Sequence, residues 1–303
     1  MTGYLHSGYI TSMAEFGQPM ELPHCGGWLL QRLIPATTRN DAMGCYPLFC
    51  CRDWSKLSID MDTCAEKFVS VALVLDPFTT LSAEELKRSF DIVRPFKDHY
   101  IVDLSMPFDQ HVKRHHRYYA RKSLREIKVE IVNNPQDYLQ EWKTLYETLV
   151  RRHQLSGIKA FSITCFRQQF TIPGLVMFRA TCRDQVIGAQ LWYVQGNVAY
   201  SHLTAVNDVG YASRATYGIY WTAINVFKEH FANEVRYLDL GAGAGLSANG
   251  NDGLSEFKRG WANDRRIKYF AAKILDRKAY ADLSKDRGSV DDGYFPAYRK
   301  GEF

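Results

Sequence analysis

The apolar positions of the chain fall into short periodic blocks separated by turn residues. "GGWLLQRLI" (26–34) and "FVSVALVL" (68–75) read as buried strands. "SAEELKRSFDIV" (82–93) reads as a helix: Ser82 and Glu85 form a capping box, and Leu86, Phe90 and Val93 share one face. "HYIVDL" (99–104) returns as a strand. A basic stretch then predicts a helix from about Asp109, and "IKVEIV" (127–132) alternates as a half-buried strand. Asn134-Pro135 opens a helix whose stripe is Tyr138, Trp142, Leu145 and Leu149.

The middle of the chain predicts a meander. "LVMFRAT" (175–181), "VIGAQLWYV" (186–194) and "VAYSHLTAV" (198–206) are strands joined by hairpin-length connectors, so they are expected to be antiparallel neighbours. The loop "NDVGYASRA" leads into a helix with Tyr217, Tyr220, Ile224, Phe227 and Phe231 on one side. A strand "VRYLDL" (235–240), a glycine-rich exit, a short helix "LSEFKRGW" and a last strand "IKYFAAKIL" (267–275) complete the order. Mixed strands and helices in this order predict an α+β protein with a mostly antiparallel sheet flanked by helices.

At 303 residues and 46% hydrophobic, the chain can bury a large core or two packed subdomains. No apolar run approaches the ~18 residues of a membrane span. The first residues lack a basic-then-apolar secretion pattern. The seven cysteines include the adjacent Cys50 and Cys51 and show no CxxC spacing. Reduced, buried thiols in a cytoplasmic protein are expected, with no metal site. The net charge of +5 is uneven: 111–128 holds seven Lys or Arg against one Glu, and 258–278 holds eight against two Asp. Such concentration points to a phosphate-bearing ligand such as a nucleotide, coenzyme A or RNA, although a solvated helix face has the same composition.

The glycines of "YLDLGAGAGLS" (237–247) invite a methyltransferase reading. That fold needs several strand–helix units after the loop and an acidic residue ending the next strand. Only 58 residues follow Gly245, and an antiparallel meander precedes it. The glycines are better read as the sharp exit of a central strand.

Three antiparallel strands, a loop, a helix and a further parallel strand follow the core order of the GNAT acyltransferase fold. There the loop Q/R-x-x-G-x-G/A holds a pyrophosphate with backbone N–H groups. The corresponding residues are Asn207 to Ala212. Gly210 and Ala212 match, Asn207 departs from Gln/Arg, and Ser213 and Arg214 add a hydroxyl and a guanidinium. "YLDLGAGAG", "DGLSEFKRGWAN" and "KILDRKAYADL" resemble the C-terminal signature of FemABX-like proteins, the peptidoglycan-bridge aminoacyltransferases and relatives within the GNAT superfamily. "RYYARKSLREIKVEIV" (117–132) resembles their basic segment before a strand, and "RNDAMGCYPLF" (39–49) loosely resembles their N-terminal turn.

The resemblance implies two GNAT-like subdomains, the first degenerate, here set at 1–125 and 126–303. It implies transfer of an acyl or aminoacyl group onto an amine to form an amide. Aminoacyl-tRNA is favoured as donor, acyl-coenzyme A comes next, and no tightly bound cofactor is expected. A peptidoglycan precursor, a peptide or a small metabolite would serve as the amine-bearing acceptor. Lys258 of the Phe257-Lys258 pair is implied near the reacting carbonyl, and Phe257 with the 207–214 loop on the donor side. Asp41 and Tyr46 fall on the acceptor side. His202 and Asp239 are the candidates for proton transfer, each also readable as structural. Two other readings compete: an inactive RNA-binding protein on this fold, carried by the basic and aromatic "HVKRHHRYYARK", and the methyltransferase.

Overall fold

A computed structural model describes residues 1–244, 252–285 and 294–302. Two compact units interleave along the chain: residues 1–3, 97–155 and 162–266 form one, and residues 4–96, 156–161 and 267–303 the other.

The second of these units starts with α1 (Ser7–Ser12), β1 (Gln18–Leu22), β2 (Gly27–Leu33), β3 (Asn40–Gly44), α2 (Leu57–Thr63), β4 (Ser70–Val74) and α3 (Ala83–Ser89). The Ser82–Glu85 capping box is present at α3. The helix stops at Ser89, four residues short of the sequence expectation, because Phe90 is already extended and Val93 belongs to the next strand, β5 (Ile92–Asp103). β1 and β3 carry little sequence signal. β1 buries only Leu22, and β3 is a polar "NDAMG" whose Asp41 is buried only because arginines meet it.

The chain then builds the first unit. Its helices and strands are α4 (Phe108–His111), α5 (Arg114–Ser123), β6 (Lys128–Ile131), α6 (Leu139–His153), α7 (Ile163–Gln169), β7 (Leu175–Cys182), β8 (Gln185–Gln195), β9 (Val198–Val206), α8 (Asp208–Ala212), α9 (Ala215–His230), β10 (Tyr237–Asp239) and α10 (Gly253–Arg259). The expected basic helix is thus two pieces, broken at Val112-Lys113. The loop expected after β9 is mostly the short helix α8. Finally β11 (Asp264–Ile274) leads back to the other unit, which α11 (Arg277–Ser284) closes.

In the first unit β7, β8 and β9 form the expected antiparallel meander, and β6 pairs antiparallel with β7 at its edge. β9 pairs β10 in parallel, and β10 pairs residues 101–103 of β5 antiparallel. The other unit repeats the plan with fewer strands: β1, β2 and β3 run antiparallel, β3 pairs β4 in parallel, and β4 pairs residues 270–274 of β11 antiparallel. One parallel pair inside a mostly antiparallel sheet is the shared signature. In each unit a helical crossover joins that pair, α2 in one and α8–α9 in the other, as parallel neighbours require.

Each unit has its own core. Phe178, Trp192, Ile219, Phe227, Leu238 and Trp261 are fully buried between the sheet of the first unit and α5, α9 and α10. Leu29, Phe49, Met61, Leu73 and Leu86 do the same in the other. At about 25 cal/mol per Å² of apolar surface removed from water, side chains of this size each contribute ~1.5–3 kcal/mol. All seven cysteines are free thiols, six of them buried. Among the described residues no helix is long and apolar enough to cross a membrane.

Candidate active site

β9 and β10 run together only from Val198–Tyr200 against Tyr237–Asp239. They then part. β10 turns toward β5, where Leu240 N–H donates to Tyr100 O at 2.9 Å and Tyr100 N–H to Gly241 O at 3.2 Å. β9 continues along β8 through a bulge: Ser201 faces Trp192, Leu203 faces Leu191, and His202 is the extra residue. The result is a wedge in the sheet, with the glycine turn at one lip. β10 is therefore an inner strand between an antiparallel and a parallel neighbour, not the first strand of a parallel nucleotide-binding sheet, and the methyltransferase reading fails on that topology.

Gly241 stands at φ +79°, where an L side chain is strained, and a Cβ there would come within 3.0 Å of Lys258 Nζ. That space is used. From α10, Lys258 reaches across the turn and donates to Ala242 O at 2.7 Å. Lys97 Nζ reaches the next carbonyl, Gly243 O, at 3.0 Å. Gly243 is a packing glycine, since a Cβ would stand 2.0 Å from Ser255 Oγ and 2.4 Å from Asp252 Oδ2. Asp252 caps α10, taking N–H groups from Ala244, Leu254 and Ser255 and the Ser255 hydroxyl. Its limited burial opposes ionisation, but these hydrogen bonds prevail and hold its pKa to about 2. Gly245, the third glycine of the motif, lies outside the described residues.

Asp239 ends β10 fully buried, on the same turn. Its oxygens lie 2.9 and 2.7 Å from His99 Nδ1, and Oδ1 accepts Gly241 N–H at 2.7 Å. Burial raises its pKa, yet the charge and hydrogen bond of His99, the Gly241 N–H and the Lys258 charge together hold it below the ordinary carboxylate value. Lys258, Asp239 and the glycine turn are thus brought together, and His99 joins them.

His202 is placed differently. Its Nε2–H donates to Gln169 Oε1 at 3.2 Å and its ring packs 5.1 Å from Tyr193. Burial depresses its pKa to about 3, so it is neutral near pH 7. Phe257 sits among Tyr217, Tyr220, His116 and Trp261, with ring centroids 5.0–6.0 Å away. Phe257 is half-buried against that core, so it anchors α10 while part of its surface stays accessible.

The 207–214 loop closes on itself. Asn207 caps α8, accepting Gly210 N–H at 2.9 Å and donating to Val186 O at 3.1 Å. Gly210 lets α8 press on the sheet, because a Cβ would meet Ile187 O at 2.4 Å. Ser213 Oγ donates to Val209 O at 2.8 Å. Ala212 and Arg214 are exposed, and the Arg214 guanidinium lies 3.7 Å from the Tyr119 ring centre.

Asp41 and Tyr46 belong to the other unit. Asp41 is fully buried, bound by the Arg299 guanidinium at 2.5 and 3.0 Å and by Arg32 Nε at 3.4 Å. Tyr46 accepts the Tyr9 hydroxyl on its carbonyl and packs 5.9 Å from Phe161, and burial raises its phenol pKa.

Two histidines escape sequence reasoning. His99 meets Asp239 only because the register sets Ile101 opposite Asp239. His116 on α5 donates from Nε2 to Phe257 O at 2.8 Å, and its ring fills the space over Gly260, where a Cβ would be 2.0 Å away. A histidine inside a basic run carries no mark of burial, so no sequence signal separates His116 from its solvent-facing neighbours.

Known proteins share the fold that carries this site. Residues 109–259 match the family described as acetyltransferase (GNAT) domain. Across 90% of this chain and 92% of its own, the crystal structure of FemX superposes with a TM-score of 0.66 at 12% identity. L-PGS from Bacillus licheniformis covers 99% of this chain and 98% of its own, with a TM-score of 0.62 at 12% identity. A C-terminal domain from Agrobacterium fabrum, described as that of a lysylphosphatidylglycerol synthetase, covers 94% and 91% with a TM-score of 0.62 at 13% identity. No curated protein sequence matches the chain. At these identities the shared feature is the fold. The stretch that holds the wedge, α5 and α10 thus carries a GNAT acetyltransferase domain, which makes the chain an acyltransferase, and its fold is the one it shares with FemX and L-PGS.

Proposed function

We propose that the chain moves an aminoacyl group from aminoacyl-tRNA onto an amine, making an amide. The observation that carries this reading is Lys258, whose ammonium is fixed at the glycine turn where β10 leaves β9. A neutral amine attacks the ester carbonyl, a C–N bond forms, and negative charge develops on the carbonyl oxygen. The Lys258 ammonium and backbone N–H groups along the parted edge of β9 stabilise that oxygen. Collapse breaks the C–O bond to the ribose, and the proton lost by the amine passes to the departing ribose oxygen, directly or through water. With His202 neutral and buried on Gln169, no base is assigned to it.

The choice of donor rests on the 207–214 loop. In a coenzyme A site the loop's N–H groups face the pyrophosphate. Here Gly210 N–H is taken by Asn207 Oδ1, and Gly210 is pressed against Ile187. The basic α5, which contains no acidic residue, supports an RNA-borne donor. The acceptor is proposed at the level of a primary amine on a peptidoglycan precursor, a peptide or a small metabolite.

The test is a transfer assay on the purified protein with radiolabelled aminoacyl-tRNA and, separately, with acetyl-coenzyme A, each against a panel of amines. Transfer from the RNA donor, reduced about 10²–10³-fold in kcat by Lys258→Met, supports the reading. Transfer from acetyl-coenzyme A alone overturns the donor assignment. RNA binding with no transfer from either donor overturns the activity.

A further inference from the structure

On the outer side of α5 an open groove of about 540 Å³ is lined by Lys113, Arg114, His115, Tyr118 and Tyr119. Its chemistry is one-sided. α5 reads "RHHRYYARKS", without an acidic residue, and Arg114, Arg121 and Lys122 are exposed and make no ion pair among the described residues. Two aromatic rings lie among these cations. Tyr118 is 59% exposed, its ring 5.2 Å from that of Tyr119, and Arg214 covers Tyr119 from the α9 side.

The groove is also fixed relative to the catalytic helix. Lys113 N–H donates to Gly260 O at 3.0 Å, Lys113 Nζ lies 3.6 Å from Glu256, and His116 holds Phe257 O. All three attachments join the first turn of α5 to the last turn of α10, which carries Lys258.

We propose that this groove is a binding site for an unpaired RNA strand, the single-stranded end of the nucleic acid that bears the acyl group. Lysine and arginine take the phosphodiesters, while Tyr118, Tyr119 and the Arg214 plane stack bases. The inference rests on the reading of aminoacyl-tRNA as donor. Exposed rings select single strands over duplex, because stacked and paired bases have no free face to offer. Phosphate contacts along the helix make the binding salt-dependent.

The experiment is fluorescence anisotropy of the full chain with a labelled single-stranded RNA oligonucleotide and with its duplex, across a salt series, run beside the transfer assay. The wild type is expected to bind the single strand about tenfold tighter than the duplex. Tyr118→Ala is expected to weaken single-strand binding about 10-fold with an unchanged salt slope. Arg114→Ala is expected to weaken both RNAs and reduce the slope by about one. Lys228→Ala, an exposed cation at the far end of α9, controls for net charge and is expected to leave the affinity in place. All three positions are exposed, so folding is preserved, and circular dichroism checks it. Wild-type affinity in both groove variants, with transfer from aminoacyl-tRNA intact, overturns the groove while the donor reading stands. Transfer from acetyl-coenzyme A alone, with no RNA binding, overturns both. Binding to anionic phospholipid vesicles that the two variants abolish, with RNA binding unaffected, reassigns the groove to a membrane surface and also overturns the proposal.

Discussion

His116 Nε2 donates to the carbonyl of Phe257 at 2.8 Å, and the same imidazole fills the space over Gly260. One side chain thus pins the helix turn that holds Lys258. Burial depresses its pKa to about 4, helped by the neighbouring His115 and Lys113 charges and opposed by the Phe257 carbonyl. Replacing His116 by Leu removes the side-chain donor and leaves the Phe257 carbonyl only the 3.2 Å bond from Gly260 N–H, a loss of ~0.5–1.5 kcal/mol. His116→Gln, which can extend an N–H toward the same carbonyl, is expected to recover part of it. Urea melts of the three proteins measure the order wild type > Gln > Leu. If His116 holds Lys258 in place, kcat follows the same order while donor KM stays flat.

Two of the buried histidines, His116 and His202, also set an acid limit. The folded-state pKa values, about 4 for His116 and about 3 for His202, lie below the ordinary 6.5. Between those values the unfolded chain binds protons that the native one refuses, so stability rises with pH there. The stabilisation is complete above pH 6.5 and is lost as the pH falls from 6.5 toward 4 and 3. By pH 5 each histidine is expected to cost up to about 2 kcal/mol. Urea midpoints at pH 7.5 and pH 5 measure the sum. His202→Gln should flatten the difference, and a difference unchanged in that variant refutes the assignment.

Gly260→Ala sets a methyl group 2.0 Å from the His116 ring, which its hydrogen bond and Trp261 hold on the other sides. Overpacking of this kind costs roughly 1–3 kcal/mol. The double variant Gly260→Ala, His116→Ala opens space for the new methyl. It is expected to be more stable than the sum of the two single losses by about 1 kcal/mol, a coupling that a double-mutant cycle reads directly.

How much of this was legible in the sequence depends on where the determining contact lies. The β7–β8–β9 meander, the capping box at Ser82 and the strand ending in Asp239 follow from local pattern, and the structure has them. Lys258 and the glycine turn were readable because they sit in one short segment. β3 was not, since Asp41 makes sense in a strand only when Arg299, 258 residues later, neutralises it. His99 and His116 were missed for the same reason: their partners Asp239 and Phe257 are about 140 residues away in the chain. In the 207–214 stretch the sequence reads as a loop, and the structure has a short helix there that Asn207 caps.

That self-capping supplies the last prediction. Asn207 Oδ1 takes Gly210 N–H while its Nδ2 binds Val186 O, so one side chain both starts α8 and ties it to β8. Asn207→Ala removes the cap and is expected to cost about 1 kcal/mol, within the usual 0.5–2 range. Asn207→Asp restores the acceptor but not the donor to Val186, and should fall between wild type and Ala in thermal melts. The same series discriminates the donors. A loop that bound pyrophosphate would gain N–H groups when the cap is removed, so Asn207→Ala would tighten coenzyme A, and Asn207→Asp would repel it. A loop that serves the fold alone shows the stability order with no change in coenzyme A affinity by isothermal titration, and that is the outcome expected here.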